Sequence, residues 1–382
     1  MNIKTQRESN LELLRIFSLL MIILHHLIYH CFYPQLTDPV FIDHFANDLF
    51  TAPIFSKRLL IPEFIVPFGK IGVIIFMMIS GYFLIVKEGK IDLKKSAVKL
   101  ISQVLFAACF LMITASVLYA FGSGDRKLYL VPASISWFNS EWWFTGYYFL
   151  IVTIGAVCLN KTLNRLSKET YLALILVMFA ILSFQFSGSL IDNFSTGIRV
   201  FLAGLLGYMW GGYCRRFDPL KDLRLRTFFV LVLMLFAVIG LSYYNAAMDH
   251  IHSYFESGSP YTFHQIAYAS AYPEYSIIPL SLSVIIFELF RRIRINTSRI
   301  INTTAAASFI VYLIHDNPFV RNYWCYADDW ISLIRNNVIL FPVKLLGRAV
   351  LIYLMGFIIY LLYKAVLWAL GKMRPLFWKT TP

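Results

Sequence analysis

Ten apolar runs, each close to the length needed to cross a hydrocarbon layer, set the terms on which this chain can fold. They fall at about 11 to 33, 64 to 86, 100 to 121, 142 to 159, 170 to 187, 198 to 214, 227 to 244, 275 to 290, 301 to 320 and 349 to 371. A spanning helix needs about 20 mostly apolar residues, and it must satisfy its own backbone polar groups where no water is available. Of the 382 residues, 59% are hydrophobic and 14% charged, against roughly 25% charged in soluble domains. The expected fold class is all-α: a polytopic membrane helix bundle of about ten transmembrane helices. It forms a single domain over 1–382, with no room for a sizeable soluble unit.

The distribution of Lys and Arg tests that count, because cytoplasmic loops carry the excess. Assigned alternately, one side takes Lys4, Arg7 and Arg15, the stretch KEGKIDLKKSAVK from Lys87, then Lys161, Arg165 and Lys168. The same side takes Arg215, Arg216, Lys221, Arg224 and Arg226, then Arg291, Arg292, Arg294 and Arg299, and finally Lys364, Lys372, Arg374 and Lys379. That is 24 of the 34 basic residues, whereas the stretch from Asn245 to Glu274 has no Lys or Arg and reads as external. An even helix count with cytoplasmic N- and C-termini follows. The net charge of +13 is therefore a topology signal. It points to a lipid bilayer as partner and no nucleic acid, in a multi-pass protein of the cell (plasma) membrane. The first run contains Arg15, His25, His26 and His30 and lacks a small-residue cleavage site, so it reads as a retained helix rather than a signal peptide.

Cys31, Cys109, Cys158, Cys214 and Cys325 are scattered, with no CxxC or zinc spacing. No metal site and no disulfide framework is expected from them, although Cys31 and Cys325 fall on the same outer side. Asp249, His250 and His252 have the composition of a metal site without its full ligand set. Gly204, Gly207, Gly211 and Gly212 recur at helical spacing and read as a surface for close helix approach. No internal repeat and no matching Gly or Pro interruptions mark the chain as two related halves.

Ionisable groups inside a span are costly and mark function by default. Arg15 and His26 are eleven residues apart, which returns them to one stripe of a helix about 16 Å apart along its axis. His30 lies a turn beyond His26, while His25 points away. A neutral imidazole can take a proton from a hydroxyl near neutral pH, and a fixed guanidinium suits a phosphate or a developing oxyanion. The alternative is that Arg15 reaches to cytoplasmic headgroups and the histidines sit at the outer interface. Ser80 before Gly81 is a candidate acyl acceptor or a helix serine bonded to its own backbone. Trp143 and Tyr148, with Trp142 and Tyr147, form an aromatic belt or a sugar platform. The tyrosine-rich external stretch, with Tyr254, Tyr261, Tyr268 and Tyr272, either binds a polysaccharide or packs across the outer mouth.

Four segments together resemble the acyltransferase family 3 of integral membrane proteins. They are NLELLRIFSLLMIILHH with Arg15 and His26, GVIIFMMISGYFL from Gly72, EWWFTGYYFLI from Glu141, and SFIVYLIHD from Ser308. The resemblance implies an O-acyltransferase that takes an acyl group, usually acetyl, from cytoplasmic acetyl-CoA. The group goes to a hydroxyl of a surface or lipid-linked carbohydrate such as capsule, exopolysaccharide or another glycan. It implies catalytic roles for Arg15 and His26, with Arg15 at the acyl-CoA, which is a donor substrate and not a permanently bound cofactor. His25, Ser80, Trp143, Tyr148 and His315 are further candidates. The chain departs from the family at Asp316, where proline is more usual. An exporter of a polysaccharide or lipid-linked sugar is the alternative reading.

Overall fold

The computed structural model describes residues 8–37, 58–121, 142–184, 196–257, 275–325 and 327–377, and all its regular structure is helical. Helix α1 (Ser9–Leu27) runs through a π-helical turn, Ile28–Phe32, into α2 (Tyr33–Thr37). Next come α3 (Leu60–Ile65), α4 (Phe68–Leu84), α5 (Leu93–Phe121), α6 (Trp143–Ile154) and α7 (Asn160–Arg165). The middle of the chain forms α8 (Lys168–Phe184), α9 (Thr196–Phe217), α10 (Leu225–Ser257) and α11 (Ile277–Arg292). Helices α12 (Arg299–Ala306), α13 (Ser308–His315), α14 (Pro318–Cys325), α15 (Trp330–Asn336) and α16 (Leu340–Phe377) complete it.

Within the described residues, each apolar run falls mainly on helix. Among the described residues, six segments are long and apolar enough to cross a membrane: Ser9–Leu36, Leu60–Lys87, Leu93–Phe121, Trp143–Arg165, Leu225–Ser242 and Leu340–Gly371. Their outer faces leave large apolar side chains exposed, among them Ile113 on α5, Leu233 on α10 and Ile358 on α16. Such a surface suits lipid and not water.

Helix α1 is the hub, packing against α4, α11, α12, α13 and α16. The tightest crossing joins α4 to α9, where backbones meet. A Cβ on Gly81 would stand 1.9 Å from the Tyr208 carbonyl oxygen, and one on Gly211 would stand 1.9 Å from that of Met78. The glycines around Gly211 thus serve close approach, as their spacing predicts.

Three expectations change. Cys31 and Cys325 are joined in a disulfide that ties the π turn following α1 to α14 across 294 residues of sequence. A shared side of the membrane is all that the positions in sequence indicate, because pairing depends on the fold that brings α14 against the π turn. The run at 301 to 320 is not one span but α12, α13 and α14. Pro318 lacks a donor N–H and disfavours helical backbone at Asn317, so α13 ends at His315 and a new helix starts at the proline. Finally, α10 continues to Ser257, so the stretch read as an external loop begins helical; 258–274 and the side chains of Asp249, His250 and His252 lie outside the described residues.

Candidate active site

Helices α1 and α13 bring His26 and His315 together, and the hydrogen bonds dictate where their protons sit. His315 Nδ1 faces two main-chain carbonyls, Tyr312 at 2.8 Å and Val311 at 3.2 Å. A carbonyl only accepts, so Nδ1 of His315 carries a proton and its neutral ring keeps a lone pair on Nε2. That Nε2 lies 3.0 Å from His26 Nδ1. His26 therefore donates from Nδ1 and holds its own lone pair on Nε2. The carboxylate of Asp316, 3.4 Å from the same Nδ1, favours the same tautomer. Among the described residues Nε2 of His26 meets no hydrogen-bond partner, and the side chain remains 23% exposed.

The neighbouring histidines do other things. His25 Nδ1 donates to the Val66 carbonyl at 2.6 Å, and its ring stacks on Tyr29, which fastens α1 to the turn before α4. His30 lies on the π-helical turn with its ring 5.4 Å from that of His26. Local π geometry of this kind recurs at functional sites. Of the paired histidines at 25 and 26, only the second faces α13.

His26, His30 and Asp316 offer three ligand atoms within 4.8 Å of one another, the spacing of a metal site. A fixed cation already stands among them. Arg321 Nη1 is 3.6 Å from Asp316 Oδ1 and 3.5 Å from His30 Nε2. A guanidinium supplies five donors and is always charged, so it neutralises the carboxylate and repels a second cation at that point. The donor set fits an organic ion pair better than a metal.

Below the histidine pair lies a cavity of about 270 Å³, lined by Arg15, Leu19 and Ile22 of α1, Ser80 of α4, Lys99 and Gln103 of α5, and Phe144 and Tyr148 of α6. Ser308, Phe309 and Tyr312 of α13 close its remaining wall. Arg15, Leu19, Ile22 and His26 follow one stripe, so His26 stands about 6 Å beyond Ile22 along α1. On α13, His315 likewise follows Tyr312 by three residues. The cavity thus starts at Arg15 and Lys99 and stops one turn short of the two imidazoles. Arg15 is held by Glu12 at 2.7 Å, a carboxylate only 5% exposed.

The remaining candidates separate. Ser80 Oγ donates to the Phe76 carbonyl at 2.9 Å and lies 3.4 Å from Tyr148 Oη, so the backbone-bonded reading of a helix serine holds, on a cavity wall. Trp143 points outward at 44% exposure and lines no part of the cavity. Its buried neighbour Trp142 instead donates from Nε1 to the Leu313 carbonyl at 2.9 Å. Sequence reasoning missed Glu12, Gln103, Asp316 and Arg321. Glu12 and Gln103 are polar residues in apolar runs, a signal that was available. Asp316 stands in the sequence as a departure from the family pattern, and Arg321 as a basic residue just past an apolar run.

The model of the acyltransferase family 3, described as an acyltransferase domain, matches residues 8–363. No curated protein and no solved structure gives a significant match to the chain.

Proposed function

Because the chain belongs to the acyltransferase family 3, membrane enzymes that move an acyl group to a hydroxyl, we propose that it transfers acetyl from cytoplasmic acetyl-CoA to a surface or lipid-linked carbohydrate. The observation that carries this reading is the single stripe of α1 on which the Arg15-lined cavity leads to the open Nε2 of His26. The orientation follows from charge. Lys99 belongs to the basic stretch after α4, which the positive-inside rule assigns to the cytoplasm, and the Cys31–Cys325 bond suits the oxidising outer side. A plasma-membrane location with a cytoplasmic N-terminus satisfies both.

In this reading the adenylate and phosphates of the donor stay near Arg15 and Lys99, and the extended pantetheine arm runs up the cavity between α1, α5 and α13. The thioester then arrives below His26. An acceptor hydroxyl gives its proton to His26 Nε2 while its oxygen attacks the thioester carbonyl. The C–S bond breaks, and the proton passes to the departing sulfur to leave CoA thiol and an O-acetyl ester. Holding donor and acceptor in one frame supplies most of what acyl transfer between bound partners requires. The roughly 16 Å between Arg15 and His26 separates donor entry from reaction.

The test is the O-acetyl content of surface glycans from cells carrying wild type, His26→Ala or His25→Ala at matched membrane levels. Acetyl loss with His26→Ala and retention with His25→Ala is the expected result. Unchanged acetylation in both removes the assignment, and loss of glycan export at constant acetyl content per molecule turns the reading toward an exporter.

A further inference from the structure

Asp316 occupies a place that the hydroxyl-to-thioester chemistry leaves unassigned. It is 7% exposed and sits where α13 breaks, immediately after His315 and before Asn317 and Pro318. Helix backbone would carry its side chain about 100° around from His315 and away from α1. At the C-terminal end of α13 the carboxylate lies 3.4 Å from His26 Nδ1 and 3.7 Å from His30 Nε2. Arg321, on the first turns of α14, comes to 3.6 Å from the same oxygen. The disulfide at the far end of α14 then ties that helix to the π turn that bears His30.

We infer that Asp316, braced by Arg321, is the positioning residue of His26: it holds the ring with its proton on Nδ1 and balances the imidazolium formed when Nε2 takes the acceptor's proton. The inference rests on the acyl-transfer reading above. A carboxylate beside the non-reacting nitrogen of a catalytic imidazole keeps the productive tautomer and offsets the charge that develops on the ring. His315 supplies only a lone pair, and it cannot offset charge. The other ionisable groups acting on His26 are His25 and His30 of its own segment and Lys70 of α4, with Arg321 of α14 beside His30 and Asp316, and none of them is an acid. Without Asp316, a positive ring would form near Lys70, Arg321 and three further imidazoles.

The experiment uses the full chain in native membranes given radiolabelled acetyl-CoA, with alkali-labile label on the surface glycan fraction as product. Asp316→Asn keeps the size and an acceptor oxygen but removes the charge. Its apparent kcat is expected to fall about 100-fold, with KM for acetyl-CoA within about twofold, since the donor cavity is untouched. Asp316→Glu restores at least about a tenth of wild-type kcat, because it returns the charge at a longer reach. A purely structural role would lower the amount of folded protein in the membrane, measured in parallel, without this split between kcat and KM. Wild-type kcat in Asp316→Asn beside a dead His26→Ala overturns the inference and leaves the acyl-transfer reading standing; activity in His26→Ala removes both. Should Asp316→Asn not reach the membrane, Arg321→Gln is read the same way, with a fall in kcat of about tenfold expected and an unchanged kcat overturning the inference.

Discussion

His315 Nε2 lies 3.0 Å from His26 Nδ1, with the two rings 7° from parallel and their centroids 5.1 Å apart. The contact links two residues that are 289 positions apart in sequence. Its direction is fixed by the carbonyls of Tyr312 and Val311, which hold the far side of His315. Any acceptor that reproduces Nε2 should therefore preserve function. His315→Gln is expected to retain acetylation within about tenfold of wild type, while His315→Ala loses about 100-fold, the usual range for a lost proton-transfer arrangement. Equal activity of the two variants, measured as label per milligram of membrane protein, would show that the His26 tautomer does not depend on this bond.

Arg15 and Glu12 form a second pair, at the other end of the stripe. Removing the arginine alone leaves the buried Glu12 carboxylate uncompensated, a change that typically costs about 3–5 kcal/mol. Arg15→Gln should thus lose both stability and donor affinity. Adding Glu12→Gln is expected to restore the thermal midpoint of the solubilised protein but not the KM for acetyl-CoA, which stays raised by about tenfold or more. A double variant with normal KM would assign Arg15 to the fold alone.

At the crossing of α4 and α9, the added methyl of Gly81→Ala or Gly211→Ala would meet a main-chain carbonyl, which cannot swing aside as a side chain would. Overpacking of this kind costs about 1–3 kcal/mol, and the rigid partner places these two sites at the upper end. Both variants should show a lower melting midpoint and lower membrane yield. Gly146→Ala on α6, where a Cβ meets nothing within 4 Å, serves as the control and is expected to be neutral.

How far the sequence could be read depended on the range of the interaction involved. Helical periodicity put Arg15 and His26 on one stripe and turned His25 away, and those are properties of α1 by itself. Apolar run length likewise located the helices. The partners of His26 come from elsewhere: His315 and Asp316 reach it only because Pro318 breaks the run at 301 to 320, and a hydropathy window averages over that break. Arg321 and the Cys31–Cys325 bond depend in turn on α14 folding back against the π turn. Trp142 is buried and Trp143 exposed, a difference that adjacent aromatics on an isolated helix do not reveal.

The disulfide offers a test of topology and of the site together. It joins α14 to the end of α1, so it restrains the two segments that carry Arg321 and His30. A cross-link of this kind typically contributes about 2–4 kcal/mol, mainly by limiting the unfolded chain. Cys31→Ser, Cys325→Ser and the double variant should therefore melt at similarly reduced temperatures, and the double variant should be no worse than either single one. Their acetylation is expected to fall as well, because α14 is freed to carry Arg321 away from Asp316. In intact cells, a membrane-impermeant maleimide should label Cys31→Ser at Cys325 from outside, since the bond that protects it is gone. Labelling that requires permeabilised cells would place this end of α1 on the cytoplasmic side and reverse the direction assigned to donor and acceptor.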